Sequence, residues 1–155
     1  MRVTKACSSR GEGIGGVDSF RVLLVDDEPD FTDTLVRRLG MRQLDVHGVY
    51  SGAAALDYAD RNPVDVVVLD VRMPGMDGIQ TLREIKARHP LVEVIMLTGH
   101  ANVEVAIEGM KLGAFDYLMK PIEIDQLLYK LQDAYQKKAI QDKKIAAQKK
   151  DPAAV

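Results

Sequence analysis

The sequence predicts an α/β fold: a five-stranded parallel sheet, doubly wound, with helices on both faces. Three observations carry this. Strand-like and helix-like segments alternate five times along the 155 residues, as in a chain of βαβ units. The runs Val64-Asp65-Val66-Val67-Val68-Leu69 and Val92 to Leu97 are almost continuously apolar instead of alternating, as strands buried on both faces are. Four strand-like runs also stop on polar residues, at Asp26-Asp27, Asp70, Thr98 and Lys120. Parallel strands deliver those ends to one edge of the sheet, where open α/β sheets bind ligands.

Composition sets the outer bounds. A chain of this length is read as one domain, burying roughly two-thirds of its unfolded surface without staples. The net charge of −2 gives no global argument for nucleic acid or an anionic membrane as partner. The single cysteine, Cys7, cannot form an internal disulfide. No apolar run approaches the ~20 residues of a membrane span, and the basic N-terminus lacks the apolar stretch of a secretory signal. A cytoplasmic protein is expected.

In chain order, residues 1–18 are Gly/Ser-rich and aperiodic, and we expect a disordered leader. Phe20 to Val25 reads as the first strand, ending on Asp26-Asp27-Glu28-Pro29. Pro29 suits a helix's first turn, and acids favour its N-terminus; three acids are more than a cap requires. Phe31, Leu35 and Leu39 mark one helix face, closed by Gly40. Leu44 to Tyr50 is a weaker second strand, whose His47 reads as a surface residue. Ser51 caps a second helix that stops at Asn62-Pro63. The third strand runs into Asp70 and breaks at Pro74-Gly75. Asp77 then caps a helix ending near His89-Pro90. Val92 to Leu97 is the fourth strand, followed by Thr98-Gly99-His100 and a helix over about Asn102 to Leu112. Ala114 to Met119 is a short fifth strand, ending on Lys120-Pro121. The last helix starts near Glu123, with Ile124, Leu127, Leu128, Leu131 and Tyr135 as its stripe. Past Tyr135 its apolar face thins among paired lysines, predicting a solvated helical extension and tail over 136–155.

The chain lacks G-x-G-x-x-G, the P-loop pattern, a serine elbow and H-E-x-x-H, which argues against dinucleotide, P-loop nucleotide, serine-hydrolase and zincin chemistry. What remains is the strand-end constellation. Carboxylates converging on a half-buried edge repel one another, and a divalent cation and the Lys120 ammonium would relieve this. An oxygen-only site with few protein ligands suits Mg2+. Asp70 as nucleophile, a metal, a lysine point charge and the Thr98 hydroxyl are the equipment for phosphoryl transfer to a carboxylate.

The order D-D, then V-V-V-L-D-V-R-M-P-G-M-D-G, L-T-G-H and F-D-Y-L-M-K-P resembles the receiver domain of two-component response regulators. The resemblance covers about Ser19 to Tyr135, so 19–135 is expected to be the receiver. It implies the flavodoxin-like strand order 2-1-3-4-5. It also implies Asp70 as phosphoacceptor from a sensor histidine kinase or phosphotransfer protein. Mg2+ would be held by Asp27, Asp70 and the backbone carbonyl of Arg72, with Asp26 assisting. Lys120 would pair with the phosphoryl group beside a cis bond to Pro121, Thr98 would donate to a phosphoryl oxygen, and Gly99 leaves space beside it. Tyr117 matches the family's aromatic switch. The implied output is a repacked surface of fourth helix, fifth strand and fifth helix that meets a downstream protein target, or a second copy of the chain. Arg72 and His100 would tune the acyl-phosphate lifetime. No direct nucleic-acid or membrane binding is expected of this domain, and no enzymatic activity beyond its own phosphorylation and autodephosphorylation.

Two other readings compete. A haloacid-dehalogenase-type phosphatase would carry D-x-D-x-T on the first strand, whereas the acids here are adjacent and the candidate nucleophile is on the third. A phosphorylation-independent scaffold would normally lack one of Asp27, Asp70 or Lys120. For output, a stand-alone receiver acting by protein contact is favoured over an amputated regulator, although L-T-G-H-A and F-D-Y-L-M-K-P-I are similar to receivers attached to transcriptional regulators.

Overall fold

The computed structural model describes residues 19–71, 77–99 and 103–150. Five strands, β1 (Arg21–Val25), β2 (Asp45–Val49), β3 (Val66–Leu69), β4 (Glu93–Thr98) and β5 (Asp116–Met119), alternate with α1 (Pro29–Gly40), α2 (Gly52–Arg61), α3 (Gly78–Arg88), α4 (Val103–Lys111) and α5 (Ile124–Lys150). All pairings are parallel, in the order β2-β1-β3-β4-β5. Apart from β4, which has the length of its run shifted by one residue, the strands are shorter than the apolar runs that announce them. Residues such as Phe20, Leu44, Val64 and Val92 are buried just outside the ladder, so hydrophobicity marks the core more widely than the sheet.

Strand alternation divides the core in two. Leu23, Val25, Val67, Leu69, Val94 and Met96 face α2 and α3, while Val22, Leu24, Val66, Val68, Ile95 and Leu97 face α1 and α5. This two-sided burial is why the central strands carry no polar alternation. Ser51 and Asp77 cap as expected, accepting from the amides of Ala54 and Gln80. Gly113 follows α4 with φ +107, a conformation that costs glycine least.

Two stripes differ from the sequence reading. On α1 the buried residues are Thr32, Leu35, Val36 and Leu39; Phe31 is only half-buried and turns toward the strand ends. On α5 the buried residues are Leu127, Leu131 and Ala134, with Tyr135 half-buried and stacked on Phe20 at 4.6 Å between ring centroids. The helix continues through 135 without interruption. Lys137 and Lys138 there reach back to Glu93 and Asp65, so this first turn past the apolar stripe is tied to the amino edge of the sheet. His47 is half-buried and stacked on Tyr58. The expectations for 1–18, Cys7, Arg72, His100 and 151–155 fall outside the described residues.

Candidate phosphoacceptor site

The carboxyl ends of β1, β3, β4 and β5 bring the predicted residues together. Asp26 follows β1 directly and is buried; Asp27 is half-buried beside it. Asp70 follows β3, its amide donating to the Val25 carbonyl at 2.9 Å, so the ladder itself sets Asp70 against the Asp26 end of β1. Carboxylate oxygens of Asp26, Asp27 and Asp70 lie within 4.8 Å of one another. Octahedral Mg2+ at ~2.1 Å holds neighbouring ligand oxygens about 3.0 Å apart and opposite ones about 4.2 Å apart. Closure of at most about 1.8 Å, within reach of carboxylate side-chain rotation, brings the three residues to fit such an ion.

Lys120 extends from the end of β5 into this cluster. Its backbone amide donates to the Thr98 carbonyl at 2.8 Å, which joins the β4 and β5 ends, and its bond to Pro121 is cis. The ammonium donates to Asp26 Oδ2 at 2.7 Å and stands 3.8 Å from Glu28 and 4.0 Å from Asp70 Oδ2. Lys120 is thus bound closely to Asp26 and only loosely to Asp70. Asp26 is further fixed by the Glu28 amide, which donates to its Oδ1. Thr98 is fully buried at the end of β4. Among the described residues beyond its chain neighbours, a Cβ on Gly99 would meet only the Lys120 stem, at 3.9 Å. Tyr117 pairs with Met96 in the ladder and is half-buried against the core on the α2–α4 side.

Three supporting residues escaped the sequence reading. The Thr32 hydroxyl donates to the carbonyls of Asp26 and Glu28, pinning the first turn of α1 under the acids. A Cβ on Gly78 would collide with the Asp70 carbonyl and the Val71 backbone, so glycine lets α3 start directly against the Asp70 strand end. The Phe31 ring lies beneath the Lys120 ammonium, 4.1 Å from it to the centroid. A glycine directly before the periodic apolar run that starts at Ile79 could have signalled Gly78; Thr32 and Phe31 carry no such signal, because only the folded first turn decides where they point.

Comparison with known proteins agrees with this architecture. The family model of the response regulator receiver domain matches residues 22–132. Regulatory protein AtoC of Escherichia coli (strain K12) is 40% identical over 117 residues, covering 75% of this chain and 25% of AtoC. The DNA-binding transcriptional regulator NtrC of Klebsiella pneumoniae is 41% identical over 103 residues, covering 66% of this chain and 22% of NtrC. The chain therefore spans about a quarter of the length of the curated relatives it matches. Among solved structures, a response regulator receiver domain protein from Clostridium thermocellum aligns with TM-score 0.75 and 34% identity, over 79% of this chain and 98% of that one. A CheY-like receiver domain protein from Methanospirillum hungatei, 24% identical over 80% of this chain and 99% of its own, shares the fold with TM-score 0.77. No helix among the described residues is long and apolar enough to cross a membrane. By its matched sequence, strand order and strand-end acids, the chain belongs to the response regulator receiver domain family.

Proposed function

We propose that this receiver domain takes a phosphoryl group from a histidine of a sensor kinase or phosphotransfer protein onto Asp70. The observation that supports this most is the convergence of Asp26, Asp27 and Asp70 within 4.8 Å, with the Lys120 ammonium at the same edge. An Asp70 carboxylate oxygen attacks phosphorus as the phosphorus–nitrogen bond to the donor imidazole breaks, and the imidazole nitrogen keeps the electron pair. Asp27, Asp70, the Arg72 carbonyl and Asp26 are the residues that would hold Mg2+; a bound ion would neutralise phosphoryl oxygens and steady both partners in line. Lys120 leaves Asp26 for a phosphoryl oxygen, and Thr98 donates its hydroxyl to another. The product carries a new charge of about −1.5 to −2.

Thr98 moving toward that charge makes room for Tyr117 to turn further inward, which repacks α4, β5 and α5. That face carries exposed Val103, Ile107, Met110 and Met119, apolar area suited to a protein contact with a downstream target or a second copy. On this reading the domain acts in the cytoplasm, catalyses only its own phosphorylation and dephosphorylation, and spans 19–135, with 136–155 as a Lys-rich extension.

Intact-mass spectrometry after incubation with acetyl phosphate tests the reading. One phosphoryl adduct that requires Mg2+ and disappears in Asp70→Ala is the expected result. An adduct retained in Asp70→Ala would reject Asp70 as acceptor, and multiple turnover of small phosphate esters would favour a phosphatase instead.

A further inference from the structure

We propose that Phe31 is the positioning residue for Lys120, a seat that holds the ammonium between Asp26 and Asp70. The inference rests on the reading of Lys120 as the phosphoryl-binding cation. A lysine ammonium has three donors on a flexible four-carbon stem. Here one donor is committed to Asp26, while Glu28 at 3.8 Å and Asp70 at 4.0 Å offer competing pulls in different directions. The Phe31 ring face, 4.1 Å away, attracts the cation through its quadrupole without taking a hydrogen bond. It thus restrains where the nitrogen sits and leaves its remaining donors available. The Lys120 side chain is 17% exposed, and such partial desolvation strengthens the attraction.

The ring is held there by the first turn of α1. Pro29 opens that turn and Thr32 is tied to the Asp26 and Glu28 carbonyls, so Phe31, directly before Thr32, is held toward the strand ends. Phe31 also lines, with Asp26, Asp70, Leu35 and Leu97, a cavity of about 10 Å³, room for no more than one water. The ring that meets the ammonium on one side thus borders this small, mostly apolar space on another. When Lys120 exchanges Asp26 for a phosphoryl oxygen, the seat keeps its nitrogen beside Asp70 instead of letting it swing out to Glu28.

The test is a graded substitution of Phe31 in the full chain by mono-, di- and trifluorophenylalanine, which weakens the quadrupole with little change of shape. The Lys120 ε-methylene protons, bonded next to the nitrogen that stands 4.1 Å from the ring centroid, should show upfield ring-current shifts that Phe31→Leu abolishes. Absence of those shifts in the wild type would overturn the seat irrespective of any phosphorylation. The rate of Asp70 phosphorylation by acetyl phosphate should fall stepwise with fluorination, to roughly a tenth for the trifluoro ring, whereas Phe31→Tyr, which keeps the ring's negative face, should phosphorylate near the wild-type rate. Equal rates across the series, with the adduct forming normally, would overturn the positioning role alone. Ring-current shifts without any Asp70 adduct would instead sink the phosphoacceptor reading, and the positioning role with it.

Discussion

The two edges of the sheet handle buried carboxylates in opposite ways. At the amino edge, Asp65 before β3 and Glu93 at the start of β4 are both 3% exposed. Asp65 accepts from the Arg21 amide and from its guanidinium through two nitrogens, and Lys138 stands 3.2 Å away. Lys137 lies 3.3 Å from Glu93. At the carboxyl edge, Asp26, Asp27 and Asp70 crowd together, and Lys120 stands beside Asp26 and Asp70. The amino-edge acids are matched by cations from the same chain, so they fasten elements together. Among the described residues, the carboxyl-edge acids outnumber the one cation beside them, an arrangement that invites a divalent ion and an incoming anion. A buried acid by itself identifies neither role; the ratio of nearby fixed cations does.

The largest effect should come from removing the shared cation. Lys120→Met is expected to slow phosphorylation of Asp70 by about 10²-fold, ~2.7 kcal/mol of transition-state stabilisation, with little change in folding; single-turnover rates with acetyl phosphate would show it. A loss below threefold would mean that Lys120 serves the fold, like its amino-edge counterparts. Next, Asp65→Asn should destabilise the fold by about 2 kcal/mol in urea, below the cost of breaking a fully buried pair because Arg21 is half in solvent, while Asp70 phosphorylation proceeds normally. If that variant slowed phosphorylation as well, the two edges would not be functionally separate.

Mg2+ sharpens the contrast further. At ten times its dissociation constant it should raise stability by about 1.4 kcal/mol in the wild type and not in Asp27→Asn, as read by thermal melts; an equal rise in both would place the ion elsewhere. The smallest effect is acid sensitivity at the other edge. Burial would push the Asp65 carboxyl up, but hydrogen bonds from the Arg21 side chain and backbone, with Lys138, hold it below the ordinary range. Because the folded value is the lower one, its stabilisation is fully present above about pH 4. It is lost as pH falls through the depressed folded value. Urea midpoints for wild type and Asp65→Asn should therefore converge below pH 4, and a gap that stayed constant would remove Asp65 from the acid response.

Much of this was legible before any coordinates. Apolar runs of the β3 and β4 kind need two covered faces, and a parallel ladder puts their carboxyl ends on one edge, so Asp26, Asp27, Asp70, Thr98 and Lys120 could be gathered by topology alone. Ser51 and Asp77 were legible because capping is a contact within one turn. The order 2-1-3-4-5 and the cis bond at Pro121 came from resemblance, since periodicity says nothing about which strands are neighbours.

Sequence by itself thus determined the layers and the identity of the strand-end residues, both products of local pattern. Only the tertiary structure decided the rest. It put Phe31 under Lys120 when its spacing fitted the core stripe equally well. It made Gly78 obligatory because the Asp70 backbone passes where a Cβ would stand. It also tied Lys137 and Lys138 to Glu93 and Asp65, across sequence separations over which no local period operates. The reason is physical: a side chain's partner across the fold depends on where two separate elements come to rest, and no window of a few turns contains that information.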